Sequence, residues 1–467
     1  MAETEFEDAL VVCGTSQGLE LRAKLVHHAR HGAVFELYSV ESSVRTSEVL
    51  KDFKIIVQNK TLYSGKAVVK SLLDAGSTIL CEVSLEDGWV DVEPSSNGQL
   101  TAQFGEFMHH WERNYKVLPE YKVLAADMQT FLTDLRLWVE QLELGIRASP
   151  SGDRLERERD LGTELSKSIF PAVDSLFEKY EDLAGRIPEE LRPAHRAYIR
   201  RVIHPLVLSS PFAFRTVRKP LGYAGDYEVV NMLLRDPHEG PSLFGKVLNR
   251  WFIKQPPAEA HRNRISYLTD QLARETARVT TRGDYARIFN LGCGPAKEVQ
   301  CFLAQEAVSD RAQLTLLDFN EETLAHAKVM IDDAKKRHHR SARVDLIKKS
   351  VGQVLKGRTK KVDGAGAGAY DFIYCAGLFD YLSAGICKEL MNIFYDMLSP
   401  GGLLVATNVD LFNPIRHWLG DILEWHLIYR TSRDFLALRP AVCPTDQVRV
   451  VSDITGVNIF LEVRKPL

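Results

Sequence analysis

From about residue 285 the chain alternates between short apolar runs and helical patterns. ARIFNLG, LTLLDF, VDLIKKS, YDFIYCAG and GGLLVATNV read as strands, interleaved with helices at KEVQCFLAQEAV, EETLAHAKVMIDDAKKR and KELMNIFYDMLSP. Strands that are apolar on both faces and joined by helical crossovers predict a parallel sheet covered on both sides. The end of the chain breaks this rhythm. QVRVVSDITGVNIFLEVRK alternates around Thr455-Gly456, which predicts an antiparallel hairpin at the sheet edge. GAGAGA at 364–369 reads as a loop before the fourth strand.

Two other textures precede this region. AVFELYSV (33–40), KIIVQN (54–59), GKAVVKSLL (65–73) and STILCEVSL (77–85) are β-type runs parted by turn residues, predicting a small barrel or sandwich. From about 105 the period lengthens. Phe107, Trp111, Tyr115 and Leu118, then Met128, Phe131, Leu132, Leu135 and Trp138, recur every three or four residues, as on amphipathic helices. At roughly 150 residues per domain, the 467 residues divide into three expected units. These are a β-barrel over 1–105, a helical cap over 106–275 and an α/β unit over 276–467.

Composition removes several functions. Lys+Arg at 59 against Asp+Glu at 62 gives a formal charge of −3, which does not make a nucleic-acid-binding surface. The acidic start MAETEFEDALVVCG is not a secretory signal, and no apolar stretch has the roughly 18 residues of a spanning helix. The seven cysteines are dispersed without a CxxC pair, which suits free thiols in a reducing cytoplasm. No triad spacing, HExxH, P-loop or metal-ligand cluster appears, so no metal is expected.

The strongest chemical signal is FNLGCGPAKE at 289–298, where a strand gives way to a helix. Gly292 and Gly294, flanking Cys293, let the backbone turn tightly and approach a ligand closely. Lys297 occupies the place of the third glycine of a dinucleotide fingerprint, which argues against a dehydrogenase. Asp318 ends the second strand, where a carboxylate can accept hydrogen bonds from both ribose hydroxyls of an adenosine. The other use of such an Asp, capping the next helix, is better met by Asn320 beyond Phe319. Ser350-Val351 follows the third strand, where an adenine edge can meet backbone groups. Ala376-Gly377-Leu378 follows the fourth and lines the same crevice.

With these features in order, residues from about 285 to 467 resemble class I S-adenosylmethionine-dependent methyltransferases. LGCGPA, LLDFN, KKSVGQVL, YDFIYCAGLFDYL, LSPGGLLVATN and the terminal hairpin carry the resemblance. It implies an α/β fold with a Rossmann-like seven-stranded sheet whose last strand is reversed, and S-adenosylmethionine as cofactor. It also implies that Gly292 and Gly294 face the methionine part, Asp318 the ribose, and Ser350-Val351 the adenine. GYAGDY, HRNRI (261–265) and EWHLIYR (424–430) resemble a bacterial subfamily described as extracellular-factor, 3-hydroxypalmitic acid methyl ester biosynthesis proteins. That likeness puts Tyr223 and Asp226 near the cofactor and makes the helical middle a lid. Arg262 and Arg264 are candidates for the methionine carboxylate, a surface salt bridge being the other use open to each.

The expected activity is methyl transfer to a small acceptor, a carboxylate or lipid-like metabolite. The alternative is a non-catalytic cofactor-binding scaffold. An ionised carboxylate needs no general base, whereas an alcohol or amine does. The residues expected to face the acceptor and carry any catalytic role are Tyr381, Asn408, Tyr429 and Arg430. The aromatic insert DLFNPIRHWLGDILEWHLIYR is expected to wall the acceptor pocket. The first hundred residues resemble a PilZ-type barrel, but the RxxxR and [DN]xSxxG nucleotide motifs are not in register. Arg22, Arg30 and SVESSVR (39–45) are the nearest approach to them. A docking or dimerisation module is therefore expected there.

Overall fold

The protein is described by a computed structural model over residues 9–29, 32–37, 44–57, 60–74, 79–85, 104–105, 108, 116–148, 154–356 and 368–467. Six antiparallel strands close into a barrel. They are β1 (Ala9–Gly14), β2 (Glu20–Ala29), β3 (Gly32–Leu37), β4 (Val49–Val57), β5 (Lys60–Asp74) and β6 (Ile79–Leu85), in the order β1-β2-β3-β6-β5-β4. Inward residues such as Val11, Phe35, Phe53, Ile55 and Val69 fill the interior, and alternation along β3 buries Ala33, Phe35 and Leu37. β1 and β2 both precede the first strand run singled out in the sequence, and β1 lies before the β-type texture that begins near residue 20. Arg22 pairs with Glu20 on the surface, while Arg30 and most of SVESSVR lie outside the described residues.

Helices Pro119–Arg147, Arg154–Gly185, Arg192–Val207, Pro211–Arg218, Tyr227–Leu234, Leu243–Ile253 and Pro256–Thr280 follow. Phe107, Trp111 and Tyr115 lie outside the described residues. On the first of these helices Met128, Leu132, Leu135 and Val139 face inward. Trp138 is 49% exposed, so the apolar stripe runs through Val139 instead. No helix among the described residues is long and apolar enough to cross a membrane.

The last part is the α/β sheet. Its strands are β7 (Ala286–Leu291), β8 (Ala312–Asp318), β9 (Arg343–Lys348), β10 (Tyr370–Cys375), β11 (Leu398–Val409), β12 (Val448–Ser452) and β13 (Asn458–Arg464). They lie in the order β12-β13-β11-β10-β7-β8-β9. β7 to β11 run parallel, and β13 runs antiparallel to both β11 and β12. This is the Rossmann-like seven-stranded sheet expected, with its last strand reversed and a terminal hairpin. The chain moves outward from β7 through β8 to β9, then crosses back to β10 on β7's other side. That reversal opens a crevice at the carboxyl ends of β7 and β10. Asn290 ties the two strands there, donating from Nδ2 to the Tyr374 carbonyl at 3.1 Å.

The insert expected to wall an acceptor site also joins the helical core. Trp418 is 2% exposed and stacks on Trp251 with ring centroids 5.7 Å apart. Asp421 pairs with Arg196, and Glu424 with Arg200 at 2.7 Å, tying the insert to helix Arg192–Val207. The barrel docks on this assembly within the same chain. Val49 N donates to Gly222 O at 2.6 Å, Ser47 Oγ to His426 O at 2.9 Å, and Lys70 pairs with Glu189.

Candidate functional site

The cavity floor is made of backbone. Gly292 and Gly294 sit at φ +78° and +53°, in the left-handed region that other residues rarely adopt. Gly292 N and Cys293 N both donate to Leu317 O, at 2.8 and 3.0 Å, so the turn leaving β7 is tied to the end of β8. A Cβ at Gly294 would meet nothing within 4 Å and would project into open space. Asp318 is 6% exposed; its Oδ2 accepts from Gly294 N at 3.1 Å and its Oδ1 from Asn320 N at 3.0 Å. Burial pushes its pKa up, while these N–H groups and Arg45 oppose that shift. Each oxygen keeps acceptor capacity for a further donor.

Asp318, Phe319, Val351, Ala376, Gly377 and Leu378 line one cavity with Gly292, Cys293 and Gly294. Asn320 and Ser350 do not line it. Asn320 Oδ1 caps helix Glu321–Arg337 through Thr323 N at 2.9 Å, as the other reading of that position had it. Ser350 exchanges bonds with Gln353 at the start of helix Val351–Lys356, Ser350 N to Oε1 at 2.9 Å and Gln353 N to Oγ at 3.3 Å.

Helix Pro256–Thr280 opens on two prolines, whose fixed φ suits a first turn. Leu268 and Leu272 pack it against the sheet and bring its first half to the strand ends. Arg264 reaches the cavity, close enough to Gly377 that a Cβ there would lie 2.9 Å from Nη1. Arg264 Nη2 donates to His261 Nδ1 at 2.8 Å, but no carboxylate pairs with the guanidinium among the described residues. Burial lowers its pKa and the more distant Asp380 opposes that shift. The nearby acids have other partners. Glu298 accepts from Tyr374 OH at 2.8 Å and Asp380 Oδ1 from Val409 N at 2.6 Å. Arg262, two residues earlier, donates to Leu233 O and Ile253 O and does not line the cavity.

KPLGYAGDY forms a loop with left-handed residues at Lys219, Gly222 and Gly225. Tyr223 lines the cavity, its ring 5.3 Å from that of Phe319. Asp226 does not; it caps helix Tyr227–Leu234 through Glu228 N and Val229 N and pairs with Arg215 at 2.8 Å. Of the four acceptor-facing candidates only Tyr381 reaches the wall, its OH accepting from Trp425 Nε1 at 2.7 Å. Gly225 is pressed against this pair: a Cβ there would sit 2.8 Å from both residues. Asn408 and Arg430 are bonded to each other. Arg430 also donates to Phe379 O and Leu382 O, and Asn408 Nδ2 donates to Val409 O and Ile428 O. They brace the strand ends behind the cavity. Tyr429 packs beside Ala260, Val409 and Val457, also outside the wall.

The cavity holds about 1690 Å³ of atom-free space, part of it open to solvent. Its wall includes Phe212, Phe252 and Thr46, which no sequence pattern singled out, and His261, Glu298 and Arg45, which lie in the quoted motifs but had no role assigned to them. Arg45 closes the SVESSVR segment, but nothing in its local pattern signals a distant cavity.

No family model matches the chain, and no curated protein matches it. Among solved structures it is similar to a Bordetella parapertussis protein described as a possible exported protein. That likeness has 17% identity, covers 65% of this chain and 97% of that one, and has a TM-score of 0.42. It is similar to magnesium protoporphyrin IX methyltransferase from Synechocystis with S-adenosylhomocysteine bound, at 10% identity, 58% and 99% coverage and TM-score 0.33. A methyltransferase from Methanosarcina mazei is similar at 14% identity, 39% and 94% coverage and TM-score 0.27. At TM-scores this low, no property of those proteins is carried over to this chain.

Proposed function

We propose that the protein is an S-adenosylmethionine-dependent methyltransferase acting on a small acidic or lipid-like acceptor. One observation carries the reading. An open glycine turn, a buried carboxylate with spare acceptor capacity and a guanidinium without an acid partner meet at the carboxyl ends of β7, β8 and β10. These residues fit the cofactor part by part. Arg264 suits the methionine carboxylate, the turn at Gly292 and Gly294 the methionine chain, Asp318 the ribose, and Phe319 with Val351 the adenine. The bound cofactor supplies an electrophilic methyl group on a sulfonium.

The chain's own residues orient the acceptor and exclude water. They offer little general base. Burial pushes the Tyr381 hydroxyl well above its ordinary pKa, so it stays protonated at neutral pH. Burial, then Arg264, holds His261 well below the usual histidine range, which makes it a weak base. Asp380 and Glu298 are engaged with Val409 N and Tyr374 OH. A nucleophile that arrives ionised suits this inventory, and that favours a carboxylate and a methyl ester product. The aromatic wall of Phe212, Phe252, Trp418 and Trp425 suits an apolar tail on the same molecule.

Calorimetry with S-adenosylmethionine and S-adenosylhomocysteine tests the reading, followed by transfer of labelled methyl to carboxylic acids of increasing chain length. Binding of both, with base-labile label in the product, is expected. Absence of binding sinks the proposal, and tight binding without transfer to any acid turns it toward a non-catalytic cofactor-binding role.

A further inference from the structure

We infer that Arg45, carried by the barrel, is a cofactor-contacting residue that roofs the adenosine half of the cavity, so that the barrel is part of the cofactor site. This rests on the reading of the cavity as an S-adenosylmethionine site. Arg45 is 7% exposed and lines the cavity, with its guanidinium carbon 4.3 Å from the centroid of the Phe319 ring. Phe319 directly follows Asp318 and also meets Tyr223, so three side chains from three segments converge over the end of β8.

Two adjacent polar groups on cavity-lining residues of the barrel have no hydrogen-bond partner among the described residues. Arg45 Nε and Thr46 Oγ1 are both buried and unbonded. The nearest barrel acid, Glu48, is engaged by Ser16 N and Oγ at 2.7 Å and by the backbone N of Arg45 at 2.9 Å. A buried guanidinium with an unused donor is costly unless a ligand supplies an acceptor. The backbone holds it in place. Ser47 takes a left-handed φ of +60° and donates to Val69 O at 2.7 Å, and Thr46 N meets Tyr381 O at 3.4 Å.

Thr46 thus turns toward Tyr381 while Arg45 turns toward Phe319 and the β8 end. The ribose oxygens and ring nitrogens of adenosine are acceptors a planar guanidinium can reach while stacking.

The test is calorimetric titration of S-adenosylhomocysteine and of free adenosine into the full chain. The variants are Arg45→Ala, Arg45→Lys and Lys70→Ala, each checked by unliganded thermal unfolding. Lys70 pairs with Glu189 across the docking contact and with Glu82 inside the barrel, both outside the cavity, so its loss loosens the barrel without touching the site. Arg45→Ala is expected to weaken both ligands by the same factor, roughly tenfold or more. Arg45→Lys, which keeps the charge without the plane, recovers only part, and Lys70→Ala matches the parent. Should Arg45→Ala unfold, the Arg45→Lys loss carries the test. Affinities of the Arg45 variants within about twofold of the parent, with a raised KM for the acceptor, overturn the inference and move Arg45 to the acceptor end. Loss for S-adenosylhomocysteine but not adenosine overturns it as well. A parent protein that binds neither ligand refutes the cofactor reading itself, a separate outcome.

Discussion

Gly292, Gly294 and Asp318 make the cavity floor from two neighbouring strand ends, with the carboxylate bonded to a backbone N–H 24 residues before it. The roof is made differently. Ser47 of the barrel bonds the carbonyl of His426 across 379 residues, and Arg45, Tyr223, Tyr381 and Trp425 meet from four distant segments. Floor contacts join main-chain groups and one carboxylate at the ends of neighbouring parallel strands, so they follow once the strands form. Roof contacts exist only when barrel, helical layer and insert are all docked. The floor therefore behaves as fixed chemistry and the roof as an assembly whose integrity can be varied separately.

Four measurements break or sharpen that contrast. The largest effect is expected from Asp318→Ala, which removes the proposed ribose acceptor and orphans the N–H groups of Gly294 and Asn320. Affinity for S-adenosylhomocysteine should fall by roughly a hundredfold; an unchanged value in calorimetry would remove Asp318 from the site. Arg264→Gln comes next, with a loss of roughly tenfold for S-adenosylhomocysteine and little for free adenosine. Equal loss for both ligands would mean that the guanidinium does not serve the methionine end.

Gly222→Ala acts on the roof. At φ +88°, with a Cβ placed 2.9 Å from Ser16 Cβ, the substitution strains the loop where the barrel sits. A stability loss of about 1–3 kcal/mol is expected in denaturant titration. No loss would show that the barrel does not bear on this loop.

The smallest effect is a pH dependence at Glu181, whose carboxylate accepts from His417 N at 2.7 Å and Trp418 N at 3.0 Å, at the start of the insert helix. Burial pushes this carboxyl up to about 7 from its usual 4.5. The folded state then holds a proton that the unfolded state has released. Its contribution is full below the unfolded value and fades as pH rises through the folded one. Melting temperatures of the parent relative to Glu181→Gln should fall between pH 5 and pH 8, roughly the span of these two values. A pH-independent difference would remove Glu181 from the roof's titration.

Much of the floor was legible because its signals are local. A glycine turn after an apolar strand, and an Asp ending the next one, each occupy a few consecutive residues. The roof was partly legible at Tyr223 and Tyr381 but misread behind them. Asn408 and Arg430 carry the polar groups expected of an acceptor site, yet they satisfy each other and nearby carbonyls. Arg262 and Arg264 lie two positions apart on one helix, and only packing against Leu233 and Ile253 commits the first to carbonyls. Trp138 fitted the helical period nearly as well as Val139, and the neighbouring helices set the phase.

By itself the sequence determined the parallel sheet, its reversed terminal hairpin, the barrel and the turn-and-carboxylate floor. Periodicity, glycine conformation and strand-end position act over short stretches of chain. Tertiary structure alone decided which buried arginines keep donors free for a ligand, and that the barrel closes over the cavity. Both depend on which carbonyls and carboxylates come within hydrogen-bonding reach, and chains far apart in sequence meet only after folding.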